Sequence, residues 1–115
     1  MAEVWDYQGY QIDEGLKPRN GNYKADFYQY FFIVKKDGER VMKFCVWAPR
    51  DDVPEIEGAS AFLDAGNSAA DFVRNEGLKE VKERIDTGMF ENTLLEMTRG
   101  GRKLVPLDEA DDKLQ

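Results

Sequence analysis

A predicted hairpin between Tyr23 and Ala48 constrains the fold more than any other part of the sequence. Two aromatic and aliphatic runs flank Asp37-Gly38, a dipeptide typical of a two-residue type I′ turn between antiparallel strands. Because successive residues of a strand point to opposite faces, strands that are apolar on both faces need two covers. The chain itself clearly supplies one cover, so the second could be a partner, a ligand or another copy of the chain.

A two-residue turn sets the pairing of this hairpin and therefore divides its side chains between two faces. It places Ile33 opposite Met42 on a face that is almost purely aliphatic and phenyl, which suits a core. The other face is amphipathic, and we predict that it is an interaction surface. This candidate interaction face comprises Tyr28, Tyr30, Phe32, Lys43 and Trp47. A three-residue bulged turn would shift the register by one residue and mix the two sets.

The size and composition of the chain predict one cytoplasmic domain. Its 115 residues suit a single domain, which we place over 1–107, followed by an acidic, disordered tail over 108–115. The single cysteine, Cys45, fits a reducing compartment. The first residues lack the features of a signal peptide, and the longest apolar stretch is too short to cross a bilayer. We therefore expect no membrane association.

The sequence contains no motif that predicts catalysis. It has no histidine, which excludes Cys-His nucleophiles, an imidazole base and most zinc sites. Pairs of carboxylates fall in predicted loops or in the tail, where no apolar pocket is implied to perturb their ionisation. These pairs are Asp13-Glu14, Asp51-Asp52 and Asp111-Asp112. We expect no enzyme activity, no metal site and no cofactor.

The remaining segments predict one more strand and a broken helix. Val4 to Ile12 is expected to be a single strand. Ser68 resembles a helix N-cap, and Gly88 can take the left-handed conformation that ends a helix. The apolar positions before and after Gly77 fall on displaced stripes, which indicates two short helices or one sharply bent helix.

The segment 89–107 is ambiguous. Phe90, Leu94 and Met97 recur at helical spacing, which slightly favours a helix. The alternative is a second hairpin that turns through Gly100-Gly101, in which Pro106 would restrict its strand to a sheet edge.

Together these patterns predict an α+β fold with a small antiparallel sheet of three or more strands and C-terminal helices packed on one face. The helices are expected to pack through Phe72, Val73, Leu78, Val81 and Ile85. The most favoured function is a non-catalytic module that binds a protein partner or forms a homodimer through the candidate interaction face.

The alternative function is a single-stranded nucleic-acid-binding module that uses the same face. Aromatic platforms on which bases stack, set beside cations, are typical of such proteins. A candidate basic tip at the hairpin turn comprises Lys35, Lys36 and Arg40. The net charge of -7 opposes nucleic acid and anionic membranes, so this alternative ranks second.

Overall fold

The computed structural model of the chain describes residues 4–14 and 27–107, which form a six-stranded sheet and helices. The strands are β1 (Val4–Tyr7), β2 (Tyr10–Glu14), β3 (Phe27–Lys36), β4 (Glu39–Pro49), β5 (Thr93–Thr98) and β6 (Gly101–Pro106). Between β4 and β5 lie a 3₁₀ helix (Arg50–Glu55), α1 (Ala59–Asp64) and α2 (Ala69–Thr87).

The strands lie in the sheet in chain order, and neighbours are antiparallel except for the parallel pair β4 and β5. The predicted α+β class is confirmed. The helices are not C-terminal, however. They form the crossover between the parallel strands β4 and β5, and both β5 and β6 come after them in the chain. No helix within the described ranges is long and apolar enough to span a membrane. The predicted tail at 108–115 lies outside the described residues.

The first segment forms a hairpin, so the predicted single strand is wrong. Gln8 and Gly9 have φ values of 52° and 84°, the positive pair that a type I′ turn requires. The turn places Trp5 opposite Ile12 across β1 and β2. Because cross-strand partners share a face, aromatic side chains before and after the turn lie on the same side of the sheet.

The β3–β4 hairpin has the predicted turn and a different register. Asp37 and Gly38 form the two-residue turn, with φ values of 53° and 86°. Beyond it, a bulge interrupts the ladder, since Lys35 pairs with Arg40 but Val34 pairs with Met42. The predicted pairing is therefore wrong by one residue along the rest of the hairpin. The predicted strand residues 23–26 lie outside the described part of the chain.

Helix α2 is continuous, and both of its predicted ends are confirmed. The Ser68 hydroxyl accepts a hydrogen bond from the Asp71 backbone N–H at 3.1 Å, and Gly88 has a φ of 72°. The predicted break at Gly77 is wrong. Gly77 is buried in the middle of the helix, and a Cβ atom placed there would lie 2.7 Å from Val46 Cγ1. The glycine lets the helix backbone approach the sheet closely.

We call the face of the sheet that contacts α2 the inner face, and its central residues form the core. Gly77 touches Val46 and Phe32 there, both of which have no exposed surface. The α2 residues in the same cluster are Phe72, Val73, Val81 and Ile85, with Leu78 half-buried against it. The central inner-face residues are Tyr28, Tyr30, Phe32, Val34, Met42, Phe44, Val46, Ala48, Thr93, Leu95 and Met97.

The segment 89–107 forms the second hairpin, so the favoured helical interpretation is wrong and its alternative is right. Thr93, Leu95 and Met97 are buried, and the residues between them are half-buried, which is the period of two of a strand. Leu94 and Met97 therefore lie on opposite faces despite their helical spacing. Pro106 lies in β6, at the edge of the sheet as expected.

Candidate functional site

The structure divides the candidate interaction face between the two sides of the sheet. Tyr28, Tyr30 and Phe32 lie on the inner face, opposite Ala48, Val46 and Phe44 of β4. Lys43 and Trp47 lie on the opposite side, which we call the outer face. The bulge causes this division. When the pairing shifts by one residue, side chains of β4 that were expected beside one set of β3 side chains lie beside the other set. The five residues therefore do not form one surface.

The inner-face members of the predicted set contribute to internal packing. Phe32 is buried in the core, and the Tyr28 hydroxyl accepts a hydrogen bond from Arg50 Nη1 at 2.9 Å. Tyr30 is half-buried, and its burial raises the pKa of the phenol, with further contributions from the Asp71 and Glu14 carboxylates. These side chains stabilise the fold where they lie.

The centre of the outer face is buried within the chain itself. Phe31, Lys43 and Cys45 are each at most 3 % exposed. Lys43 Nζ lies 5.2 Å from the centroid of the Phe31 ring, a cation–π distance. Gln29 Nε2 donates to Cys45 Sγ at 3.5 Å. A buried thiol and a buried ammonium group are poorly placed to meet a partner.

Half-buried apolar side chains surround this buried centre, and we call them the outer margin. The rings of Phe27 and Trp47 lie 5.8 Å apart and support each other. Leu94 lies opposite Cys45 on β4 and opposite Val105 on β6. The outer margin comprises Phe27, Ile33, Trp47, Leu94 and Val105, all of intermediate exposure.

Two cations of the candidate basic tip have partners within the chain. Lys35 Nζ lies 3.1 Å from Asp13 Oδ2, and Lys36 Nζ lies 5.0 Å from the centroid of the Tyr10 ring. Hydrogen bonds from Gln11 and then Lys35 lower the pKa of Asp13. Arg40 is exposed. One cation of the tip is therefore paired with an anion, and a second lies against an aromatic ring that leaves its charge unchanged.

Arginines at the β5–β6 turn are also paired. The Arg99 backbone N–H and Nε donate to the Asp52 carboxylate at 3.1 and 3.0 Å, and these contacts lower the pKa of Asp52. Arg102 Nη1 lies 2.7 Å from Glu76 Oε1 of α2. These ion pairs connect the turn and β6 to the helical crossover.

The carboxylate pairs considered in the sequence do not converge on an acid–base site. Asp13 faces Lys35 on the outer side, whereas Glu14 faces Arg74 of α2 at 3.2 Å on the inner side. The described residues contain no group of three or more histidine, cysteine, aspartate or glutamate side chains that could hold a metal ion. Asp111 and Asp112 lie outside the described ranges.

Arg84 is a residue that the sequence interpretation missed. The sequence pattern assigns it no role, but it is only 6 % exposed. Residues seven apart lie on the same side of a helix, so Arg84 shares the side of Gly77. The spacing of seven residues from Gly77 is the sequence signal for a buried Arg84, and a predicted break at Gly77 hides it.

A cleft of about 460 Å³ lies beside Arg84, between the end of α2 and edge strand β6. Arg84 Nη2 donates to Thr93 Oγ1 at 3.1 Å, and its guanidinium carbon lies 5.6 Å from the centroid of the Phe44 ring. Arg84 Nε is buried and has no hydrogen-bond partner in the described structure. The opposite wall is apolar and includes Leu104 and Pro106.

No protein-family model, curated protein or solved structure matches the chain. Two surfaces of the described structure could carry a function, the outer margin and the Arg84 cleft. The outer margin is partly exposed and apolar, which favours contact with a protein surface. The cleft is concave and combines a cation with apolar walls, which favours a small ligand.

Proposed function

We propose that the chain is a non-catalytic protein-interaction module whose outer margin pairs with the same surface of a second copy. The observation that carries this proposal is the half-buried apolar set around Trp47, on the face opposite α2. Tryptophan and phenylalanine are enriched at the centres of protein interfaces. The proposal keeps Trp47 from the sequence prediction and replaces its tyrosines with Phe27 and Leu94.

The charges of the outer face support pairing between identical surfaces. A net charge of -7 opposes the approach of two copies unless the contacting surfaces are close to neutral. On the outer face, Glu96 lies opposite Lys103, and Asp13 forms an ion pair with Lys35. Opposite charges that are already matched within one copy reduce repulsion at a symmetric contact.

The other parts of the proposal are the absence of catalysis and a cytoplasmic location. The carboxylates of Asp13, Glu14 and Asp52 are held in ion pairs on separate parts of the surface, which supports a non-catalytic role. Cys45 is the single cysteine of the sequence and is buried, which is consistent with a reducing compartment. The nucleic-acid alternative has less support, since its aromatic residues are divided between two faces and Lys35 is paired.

Sedimentation velocity of the full chain between about 1 µM and about 1 mM tests the proposal, because this range brackets typical weak dimers. We expect a dimer at the upper end of the range. Trp47→Gln should shift the monomer–dimer equilibrium at least tenfold toward the monomer. Met89→Gln is the matched control, because Met89 is an exposed apolar residue away from the outer margin. Circular dichroism confirms that each variant is folded.

A wild-type chain that stays monomeric at the highest concentration contradicts the proposal. So does an equal loss of dimer in the Trp47→Gln and Met89→Gln chains, since that result would place the contact elsewhere. The emission of the tryptophans provides a second measurement. If Trp47 becomes buried in the dimer, dilution of the wild-type chain should shift the emission toward longer wavelength.

A further inference from the structure

We propose that the Arg84 cleft binds a monocarboxylate with a compact apolar body. Arg84 is 6 % exposed, and burial of a charged group is costly unless an anion and hydrogen bonds compensate for it. Within the described structure its hydrogen-bond partner is the neutral Thr93 hydroxyl, and it takes part in none of the ion pairs. The unpartnered Nε shows that the described residues do not satisfy this guanidinium.

The polar wall of the cleft is rigid before any ligand arrives. The Thr93 hydroxyl donates to the Glu91 carbonyl oxygen at 2.8 Å, so its lone pairs are available to the Arg84 donor. Asn92 Oδ1 accepts the Lys43 backbone N–H at 2.8 Å, and the Asn92 carbonyl oxygen accepts the Leu107 N–H at 3.0 Å. These bonds hold the α2–β5 connection against β4 and the end of β6. Pre-organisation of this kind reduces the entropy lost on binding.

The walls indicate the chemical class of the ligand. Arg84 lines the cleft, and the planar guanidinium group suits the charge-assisted hydrogen bonds that a carboxylate accepts. Leu104, Pro106 and Leu107 line the cleft with apolar surface, which favours a hydrophobic body. Glu91 also lines it, and its negative charge disfavours phosphates and other multiply charged anions. The cleft volume of about 460 Å³ suits a small molecule.

A monocarboxylate with an apolar body can come from two sources. A free small carboxylic acid presents a carboxylate beside an apolar body, and so does the free C-terminus of a polypeptide that ends in a hydrophobic residue. The probes are therefore 3-phenylpropionate for the free acid and N-acetyl-glycyl-leucine for the polypeptide terminus. Their neutral amides serve as controls that keep the shape and remove the charge.

Heteronuclear NMR titration of the full-length wild-type chain tests the proposal directly. We expect the Arg84 Nε–H signal and the backbone amides of Asn92 and Thr93 to shift with a dissociation constant on the order of 1 mM, as ligand efficiency predicts for probes of this size. Each neutral amide should bind at least tenfold more weakly than its acid. Whichever acid binds more tightly identifies the source.

Arg84→Met should weaken binding of the better acid at least tenfold. Lys79→Met is the matched control, because Lys79 is an exposed cation on the same helix, and it should bind as the wild-type chain does. An unchanged Arg84 Nε–H signal in the wild-type chain overturns the proposal even if Arg84→Met does not fold. Equal losses in the two variants, or inorganic phosphate binding as tightly as 3-phenylpropionate, also overturn it. The Trp47→Gln chain should bind normally, so this result is independent of dimer formation.

Discussion

The two faces of the sheet are both rich in apolar residues, but they differ in how their residues are covered. On the inner face, Phe32 and Val46 have no exposed surface and touch the backbone of α2 at Gly77. On the outer face, a buried centre at Phe31 is surrounded by half-buried side chains such as Trp47. The difference shows that apolar composition identifies a sheet that needs covering, whereas close approach of a helix decides which face becomes the core.

Polar contacts reinforce this difference. The Tyr7 hydroxyl donates to the Asp86 carboxylate at 2.8 Å near the end of α2, and Glu14 pairs with Arg74 at 3.2 Å nearer its start. Both contacts connect the β1–β2 hairpin to the helix. Such contacts set the orientation of α2 over the inner face, where the packing of Gly77 allows little freedom.

The largest expected effect is the difference in unfolding free energy between a variant of the inner face and a variant of the outer face. Phe32→Ala should lower the free energy of unfolding by about 3–5 kcal/mol, because it leaves a cavity in the core. Phe27→Ala removes the same ring from the half-buried outer margin and should cost only about 1 kcal/mol. Urea unfolding followed by circular dichroism measures both. Equal losses would show that the outer face contributes to the core as much as the inner face does.

The second effect tests the close approach of α2 to the sheet. Gly77→Ala would place Cβ 2.7 Å from Val46 Cγ1 and 3.0 Å from Phe32 Cε2. We expect overpacking of about 1–3 kcal/mol to exceed the gain of about 1 kcal/mol from removing a helical glycine. The variant should therefore unfold at lower urea concentration than the wild-type chain.

Asn75→Ala is the control for this prediction, since Asn75 is exposed on the same helix and should be neutral or slightly stabilising. A Gly77→Ala chain that is more stable than the wild type would show that α2 leaves room for a methyl group at position 77 and does not approach the sheet closely there. The Gly77→Ala, Val46→Ala double variant should lose less stability than the sum of the two single losses, because the smaller side chain makes room for the new methyl group.

The features that the sequence predicted correctly depend on neighbouring residues. Asp37-Gly38 and the Ser68 and Gly88 ends of α2 each follow from the φ values or hydrogen bonds of a few adjacent residues. The hairpin alternative at β5–β6 was visible for the same reason, since Gly100-Gly101 separates two short apolar runs.

The features that the sequence did not predict depend on contacts distant in the chain. The turn residues do not predict the bulge beside Lys35. The bulge places Tyr30 and Trp47 on opposite faces of the sheet, whereas the sequence predicts that they share a face. Gly77 has a role only because Val46 lies against it. The sequence therefore predicts the candidate surfaces only in part. Trp47 belongs to both the predicted face and the outer margin, whereas the burial of Arg84 follows only from the folded structure.

The smallest expected effect tests the face on which Tyr30 lies. Burial raises the pKa of Tyr30 above its ordinary value of 10.0, and nearby carboxylates raise it further. A pKa that is raised in the folded state contributes stability that is fully present below the unfolded value and is lost as pH rises through the folded value. Since Tyr30→Phe removes this ionisation, the stability of the variant relative to the wild type should increase as pH rises above about 10.

Urea unfolding at pH values of about 8 and about 10.5 measures this change on either side of the ordinary tyrosine pKa. The effect is expected to be small, because solvent screens a half-buried phenol. The wild-type minus variant difference in absorbance at the phenolate band reports the ionisation of Tyr30 itself. Ionisation in the ordinary range, with no change in relative stability, would place Tyr30 on a solvated surface and restore it to a candidate interaction face with Trp47.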